Sequence, residues 1–427
     1  MERIILNEIK KEENVISYVF EVSSGLEKYF SGKPFSIEYQ ENVTAVPDSV
    51  AAIPFVCCVL PIIWLSNSEL IVDEIDKAFY DCIPEVRKGY ETMFPEAEFL
   101  GEIVAGKIVE NVIPKTENSA LFFSGGLDAV SSLVSHIDEK PDLVAVWGSD
   151  IKYSNSEGWS VVYKGLVDSA QQFDANLIVV KSSFRDFDNE GLLGAEYYSK
   201  LKDGWWHGVK HGMGLIGHAA VLAYLKKYSI IYIASTSCQE DGIVKIASSP
   251  LTDNKIRFVM SKVVHDGYEY CRQDKARNVV VYQKSNSERV SLRVCWESQN
   301  GDNCCECEKC LRTVTELITE CAEPSDYGFN YLDRVMPQLK KICVEKRYFY
   351  DLRMKKYWVK IQDRLYANRK IIRKTKYWKH IKWILKVDFS DPTTIKLPLK
   401  QRIKNFIYSR KIYIWLHNVK TKLNSHS

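Results

Sequence analysis

Apolar and polar positions alternate along this chain at two periods, and the switches between them mark its elements. The apolar run from Ala120 to Phe123 predicts a buried parallel strand, and it ends at Ser124, Gly125 and Gly126. A helical pattern starts near Asp128 and continues through Val130, Leu133 and Val134. Apolar runs at Leu143 to Trp147, Leu177 to Lys181 and Ile230 to Ala234 predict further strands, the last reached through a helix from about Leu215 to Lys227. Strands alternating with helices over residues 116–330 predict an α/β domain, a parallel sheet with helices on both faces. Residues 1–115 mix alternating stretches such as Phe35-Ser-Ile-Glu-Tyr39 with helical patterns at Glu69 to Tyr80 and Ala105 to Val112. They predict an α+β accessory domain, with Asp73, Glu74 and Asp76 on a solvated helix face. The longest apolar run, Val50 to Leu65, contains Pro54 and Pro61 and is too short to span a bilayer easily. It predicts a buried strand or a helix pair.

The glycine turn carries the first candidate chemistry. Strand, glycine turn and helix N-terminus form the arrangement that binds phosphate, because glycines let backbone N–H groups approach an anion and the helix dipole favours negative charge. Ser124 adds a hydroxyl donor. Asp128 would repel a bound phosphate unless a cation bridges the two, which points to Mg²⁺. The turn is not a Walker A loop, since no Lys-Ser or Lys-Thr follows the glycines, and it lacks the third glycine of a dinucleotide fingerprint.

The second candidate lies at Cys295, Cys304, Cys307 and Cys310, spaced C-x8-C-x2-C-x2-C. Four thiolates at this spacing can close a tetrahedral Zn²⁺ site, with Lys309 and Arg312 partly offsetting their charge. Cys₄ also suits an iron–sulfur cluster, and free or disulfide-bonded thiols are the plainer alternative. Cys305 fits no ligand slot.

The string Ser124-Gly-Gly-Leu-Asp128-Ala-Val resembles the SGGxDS loop of the PP-loop ATP-pyrophosphatase superfamily, whose fold is adenine nucleotide alpha hydrolase-like. The family's final Ser is Ala129 here, which removes one phosphate hydrogen bond. The loop followed by the four cysteines is similar to the 7-cyano-7-deazaguanine synthase family of the queuosine pathway, over roughly residues 116 to 325. The resemblance implies ATP cleavage to AMP and pyrophosphate, with Mg·ATP on Ser124, Gly125, Gly126, Leu127 and Asp128. It implies a ligase in which a small substrate's carboxylate or amide oxygen is adenylated and then captured by ammonia or an amine. Ser124 and Asp128 would carry the catalysis, and a structural Zn²⁺ would sit on the four cysteines.

In an open parallel sheet, ligands bind outside the C-terminal strand ends. Asp150 would therefore meet the ribose or adenine, or only cap a turn, and Ser235 and Thr236 would line the nucleotide or substrate pocket, or form a hydroxyl turn. His207 and Lys210 sit in an aromatic, glycine-rich stretch that suits a substrate carboxylate or plain helix-start packing. Asp253 is a candidate Mg²⁺ or substrate ligand. Arg272 and Lys275 suit leaving phosphates or surface ion pairs. Cys238 is a candidate only if the enzyme transfers sulfur, and a buried filler otherwise.

Composition adds an asymmetry. The chain carries +3 overall, yet residues 345–427 hold 23 Lys/Arg against 5 Asp/Glu, leaving 35 against 50 elsewhere. Tyr348, Tyr350, Tyr357, Trp358, Tyr377, Trp378, Trp383, Tyr413 and Trp415 punctuate this basic helical tail. An anionic membrane surface and docking on the acidic body suit it equally, and nucleic acid less well. The N-terminus has no signal-peptide pattern, and 12 cysteines fit a reducing cytoplasm. The expected location is cytoplasmic, or peripheral at the inner membrane face through the tail. A sulfur-transferring enzyme, or a non-catalytic nucleotide-binding protein serving cell-surface polysaccharide synthesis, stands as the alternative.

Overall fold

The computed structural model describes residues 1–286, 289–346 and 352–389. Eleven strands form one sheet. They are β1 (Arg3–Glu12), β2 (Val15–Val22), β3 (Phe35–Glu38), β4 (Glu69–Asp76), β5 (Glu102–Val109), β6 (Ser119–Phe122), β7 (Asp142–Trp147), β8 (Leu177–Ser182), β9 (Ile230–Ala234), β10 (Arg257–Phe258) and β11 (Ser261–Asp266). Their spatial order is β10-β11-β9-β6-β7-β8-β3-β2-β1-β4-β5. The block from β11 to β8 is wholly parallel, so the C-terminal ends of its five strands share one edge. An α/β architecture therefore stands, built on a mixed sheet with a parallel centre.

The strands of residues 1–115 extend this same sheet. β3 pairs antiparallel with β8, placing Ile37 opposite Ser182. Beyond it, β4 pairs parallel with both β1 and β5. Two expected helices are therefore strands. Glu69–Asp76 is β4, with Leu70 and Val72 buried in alternation, and the helix Lys77–Met93 starts only after it. The Asp76 carboxylate caps that helix by accepting the Phe79 N–H at 3.0 Å. Asp76 also accepts the Val259 N–H at 3.0 Å and is buried, not on a solvated face. Likewise Ala105 to Val112 falls largely in the edge strand β5, where Val104 and Ile108 remain exposed. In both cases pairing with strands distant in sequence outweighs the local helical period.

Val50 to Leu65 falls in helices Asp48–Ala51 and Ile53–Ser66. Every residue from Ile53 to Leu65 is buried, so this helix is apolar all round because it is core. The central strand β6 is likewise sealed: Ala120 and Leu121 are fully buried. Full burial of a leucine of this kind contributes roughly 1.5–3 kcal/mol.

The chain divides into two compact units, residues 1–303 with 326–328, and residues 304–325 with 329–427. The first contains the whole sheet. In the second, helix Glu308–Thr319 packs against helix Leu352–Ile372. Trp358, Ile361 and Leu365 of the latter are fully buried, and Arg364 grips Glu320 through Nε at 2.8 Å and Nη2 at 2.6 Å. Tyr377 and Phe389 are buried too, so three of the tail's described aromatics serve an interior. Tyr348, Tyr350, Tyr413 and Trp415 lie outside the described residues. No helix among the described residues is long and apolar enough to cross a membrane.

Candidate functional site

β6 delivers its chain to the shared C-terminal edge between β7 and β9. Ser124 is exposed there, and Gly125 turns the chain at φ +71°, a conformation that favours glycine. Gly126 is the N-cap of helix Leu127–Ser135, and no side chain caps it. The first-turn N–H groups at Leu127, Asp128 and Ala129 have no partner within the helix, as at any helix start. The loop thus has the backbone form that its sequence predicts.

Asp128, in that first turn, is buried and ion-paired with Arg272 of helix Arg272–Asn286. One turn on, the Lys275 ammonium donates to the Ser235 carbonyl. Burial lowers the Lys275 pKa; Asp128 opposes that effect and Arg272 adds to it. Two cations from one helix therefore stand beside the carboxylate of the glycine loop. Neither is a surface ion pair, since Arg272 and Lys275 are both buried.

The neighbouring strand ends close in on the same edge. After β7, Gly148 takes φ +111°, and a Cβ there would lie 1.9 Å from the Ser182 carbonyl oxygen, so only glycine fits. Asp150 follows, half-exposed, with its carboxylate 3.9 Å from Arg293. After β9, Thr236 is exposed but the Ser235 side chain points inward. Its hydroxyl donates to the Ser237 carbonyl at 2.6 Å and lies 2.8 Å from His265 Nε2. His265 Nδ1 is 2.8 Å from Asp253, which also accepts from Ser248 at 2.6 Å. Ser235, His265 and Asp253 reproduce the order of a hydrolase triad, yet all three are buried. The series fixes the turn after β9 and offers no accessible nucleophile.

At the end of β11, Asp266 lies 2.9 Å from His136 Nε2, and Glu139 lies 2.8 Å from Nδ1. The two carboxylates raise the His136 pKa to about 9, Asp266 contributing most. His136 is the C-cap of helix Leu127–Ser135, where the helix dipole also favours a cation. Nothing in the local sequence marks this pair, because 130 residues separate its members.

Other candidates lie elsewhere. Lys210 is fully buried, with Nζ 2.7 Å from Asp188 and 3.3 Å from Glu190. Burial raises the Asp188 pKa to about 6 against the pull of Lys210. His207 pairs with Asp203 at 2.6 Å. Both bases face carboxylates of the chain itself. Cys238 is buried, and burial together with Asp241 raises its thiol pKa, the opposite of what a nucleophilic thiolate needs.

The Sγ atoms of Cys295, Cys304, Cys307 and Cys310 lie within 4.8 Å of one another. A zinc with Zn–S of about 2.3 Å requires S–S edges of about 3.8 Å, so the cluster is close to closed. None of the twelve cysteines is in a disulfide. Backbone N–H groups point at the sulfurs: Ser298 at Cys295 (3.3 Å), Cys307 at Cys304 (3.3 Å) and Cys310 at Cys307 (3.4 Å). Such donors stabilise thiolates, and Cys307 also N-caps helix Glu308–Thr319. The donor set can hold a metal ion such as zinc. Arg312 is not held for the thiolates: its Nε bonds Glu308 at 2.8 Å and its guanidinium covers the Tyr357 ring. Cys305 is not one of the four.

A cavity of about 120 Å³ lies beside the glycine loop, lined among others by Ser124, Gly125, Leu166, Arg293 and Asn303. It joins the loop to the segment just ahead of the first clustered cysteine. No protein-family model matches the chain, and no curated protein matches it.

Proposed function

We propose that the protein is an ATP-pyrophosphatase that adenylates a small substrate's carboxylate or amide and passes it to ammonia or an amine. The observation that supports this most is the uncapped helix start after Gly125 and Gly126, on the parallel edge where the turns after β7 and β9 converge. Its resemblance to the PP-loop sequence pattern adds the reaction type. ATP would bind with its β- and γ-phosphates against the first-turn N–H groups. Asp128 would hold Mg²⁺ once it had exchanged Arg272 for the cation, which would offset phosphate charge. A substrate oxygen attacks the α-phosphorus and the α–β bridging bond breaks, its electrons leaving with pyrophosphate. Arg272 and Lys275 stabilise the charge that develops there. The nucleophilic nitrogen then displaces AMP from the activated carbon and loses a proton. A metal on the cysteines would be structural, since four sulfurs leave no open ligand position.

A second reading is a nucleotide-binding protein without turnover. Ala129 in place of the hydroxyl of the family pattern and the existing Asp128–Arg272 pair favour it. ATP labelled at the α-phosphate, incubated with Mg²⁺ and a metabolite extract, separates the two. Label in AMP that disappears in Asp128→Asn supports the enzyme. ADP as the sole product refutes α–β cleavage, and binding without product in any extract supports the second reading.

A further inference from the structure

The segment that leads into the cysteine cluster contacts the glycine loop through Arg293. Its backbone N–H donates to the Gly125 carbonyl at 2.8 Å. Its side chain is anchored at one end only: Nε donates to the Gly301 carbonyl at 3.0 Å. Nη1 reaches the half-exposed Asp150 carboxylate only at 3.9 Å. Nη2 is buried and has no hydrogen-bond partner. A buried charged donor without a hydrogen bond is costly, so the Nη2 edge of this guanidinium suits an anion closer than the Asp150 carboxylate.

Arg293 lines the cavity beside Ser124 and Gly125. The cavity, at about 120 Å³, is smaller than the roughly 300–1,000 Å³ of ordinary ligand pockets. It suits a phosphoryl group, free or as one end of a nucleotide whose remainder lies outside the cavity. Asp302, the carboxylate in its lining, is exposed to solvent. We propose that Arg293 is an anion-binding residue that completes, from the cysteine side, a site for a phosphoryl oxyanion at the glycine loop. This rests on the phosphate-binding reading of Ser124–Asp128 and adds a residue outside that loop. It also gives the cysteine segment a task at the site: the loop Cys295 to Cys304 carries Gly301, which orients the guanidinium.

The test is titration calorimetry of inorganic pyrophosphate and of Mg·ATP against the full chain. The variants are Arg293→Gln, Gly165→Leu and Gly125→Val, each with its thermal unfolding recorded. Gly165 lines the cavity, and a Cβ there would meet no atom within 4 Å, so a side chain added there starts in open space on that lining. Loss of one charge-assisted contact should weaken binding about tenfold to a hundredfold in Arg293→Gln. Gly165→Leu should weaken it comparably with its unfolding midpoint retained. Equal affinity in wild type and in both of these variants overturns the inference; if Gly125→Val alone then loses binding, the phosphate-loop reading survives. If Arg293→Gln weakens binding and Gly125→Val does not, Arg293 holds the anion and the loop reading fails. Should Arg293→Gln not fold, Gly165→Leu decides. Wild type that binds neither ligand overturns both.

Discussion

His136 gives a prediction whose size follows from its surroundings. Asp266 and Glu139 hold its imidazole as a cation, lifting its pKa from 6.5 to about 9. A raised folded-state pKa means the folded protein binds the proton more tightly than the unfolded chain. The stabilisation is therefore complete below pH 6.5 and is lost as pH rises through 9. Integrating between these two values gives about 3 kcal/mol at pH 6 and about 1 at pH 8, with almost nothing left at pH 10. His136 stacks on Tyr232 at 4.1 Å between ring centroids, so His136→Gln also removes a packing contact that does not titrate. The quantity to measure is thus the wild-type minus variant unfolding free energy, from urea denaturation at pH 6, 8 and 10. It should fall by about 3 kcal/mol across that range. A flat difference would refute the ion pair as the cause, because packing alone gives a constant offset.

Three further outcomes follow from the geometry. Purified protein should carry one zinc per chain by elemental analysis, and Cys307→Ser should reduce it to background, since Cys307 is both a cluster sulfur and a helix N-cap. Asp188→Asn should destabilise by about 3–5 kcal/mol in denaturant melts at neutral pH, because it removes the nearer counter-charge of a fully buried lysine. Gly148→Ala should cost at least about 1–3 kcal/mol, for its Cβ would need both a strained φ and the space of the Ser182 carbonyl; an unchanged melting temperature would show that the turn after β7 relocates.

Much of this protein was legible in its local sequence. β6, the glycine turn and the following helix are short-range features, set by an apolar run, two residues without side chains and a helical period. The cysteine spacing likewise brings its sulfurs together through short turns. β4 and β5 were not legible, since their sequences fit a helix and only pairing, of β4 with β1 and of β5 with β4, makes strands of them. The single sheet was hidden for the same reason: the β3–β8 junction joins residues about 145 positions apart.

The division at the site is similar. Local sequence determined that a strand, a glycine turn and a helix follow one another and that Asp128 stands in the helix's first turn. Tertiary structure alone decided what surrounds that carboxylate: Arg272 144 residues away, Lys275 beside it, and Arg293 against Gly125. It also turned Ser235 inward to His265 and enclosed Lys210 among acids of its own chain. Hydrophobic period and turn chemistry act over a few residues, whereas burial and charge pairing depend on which segments the sheet brings together.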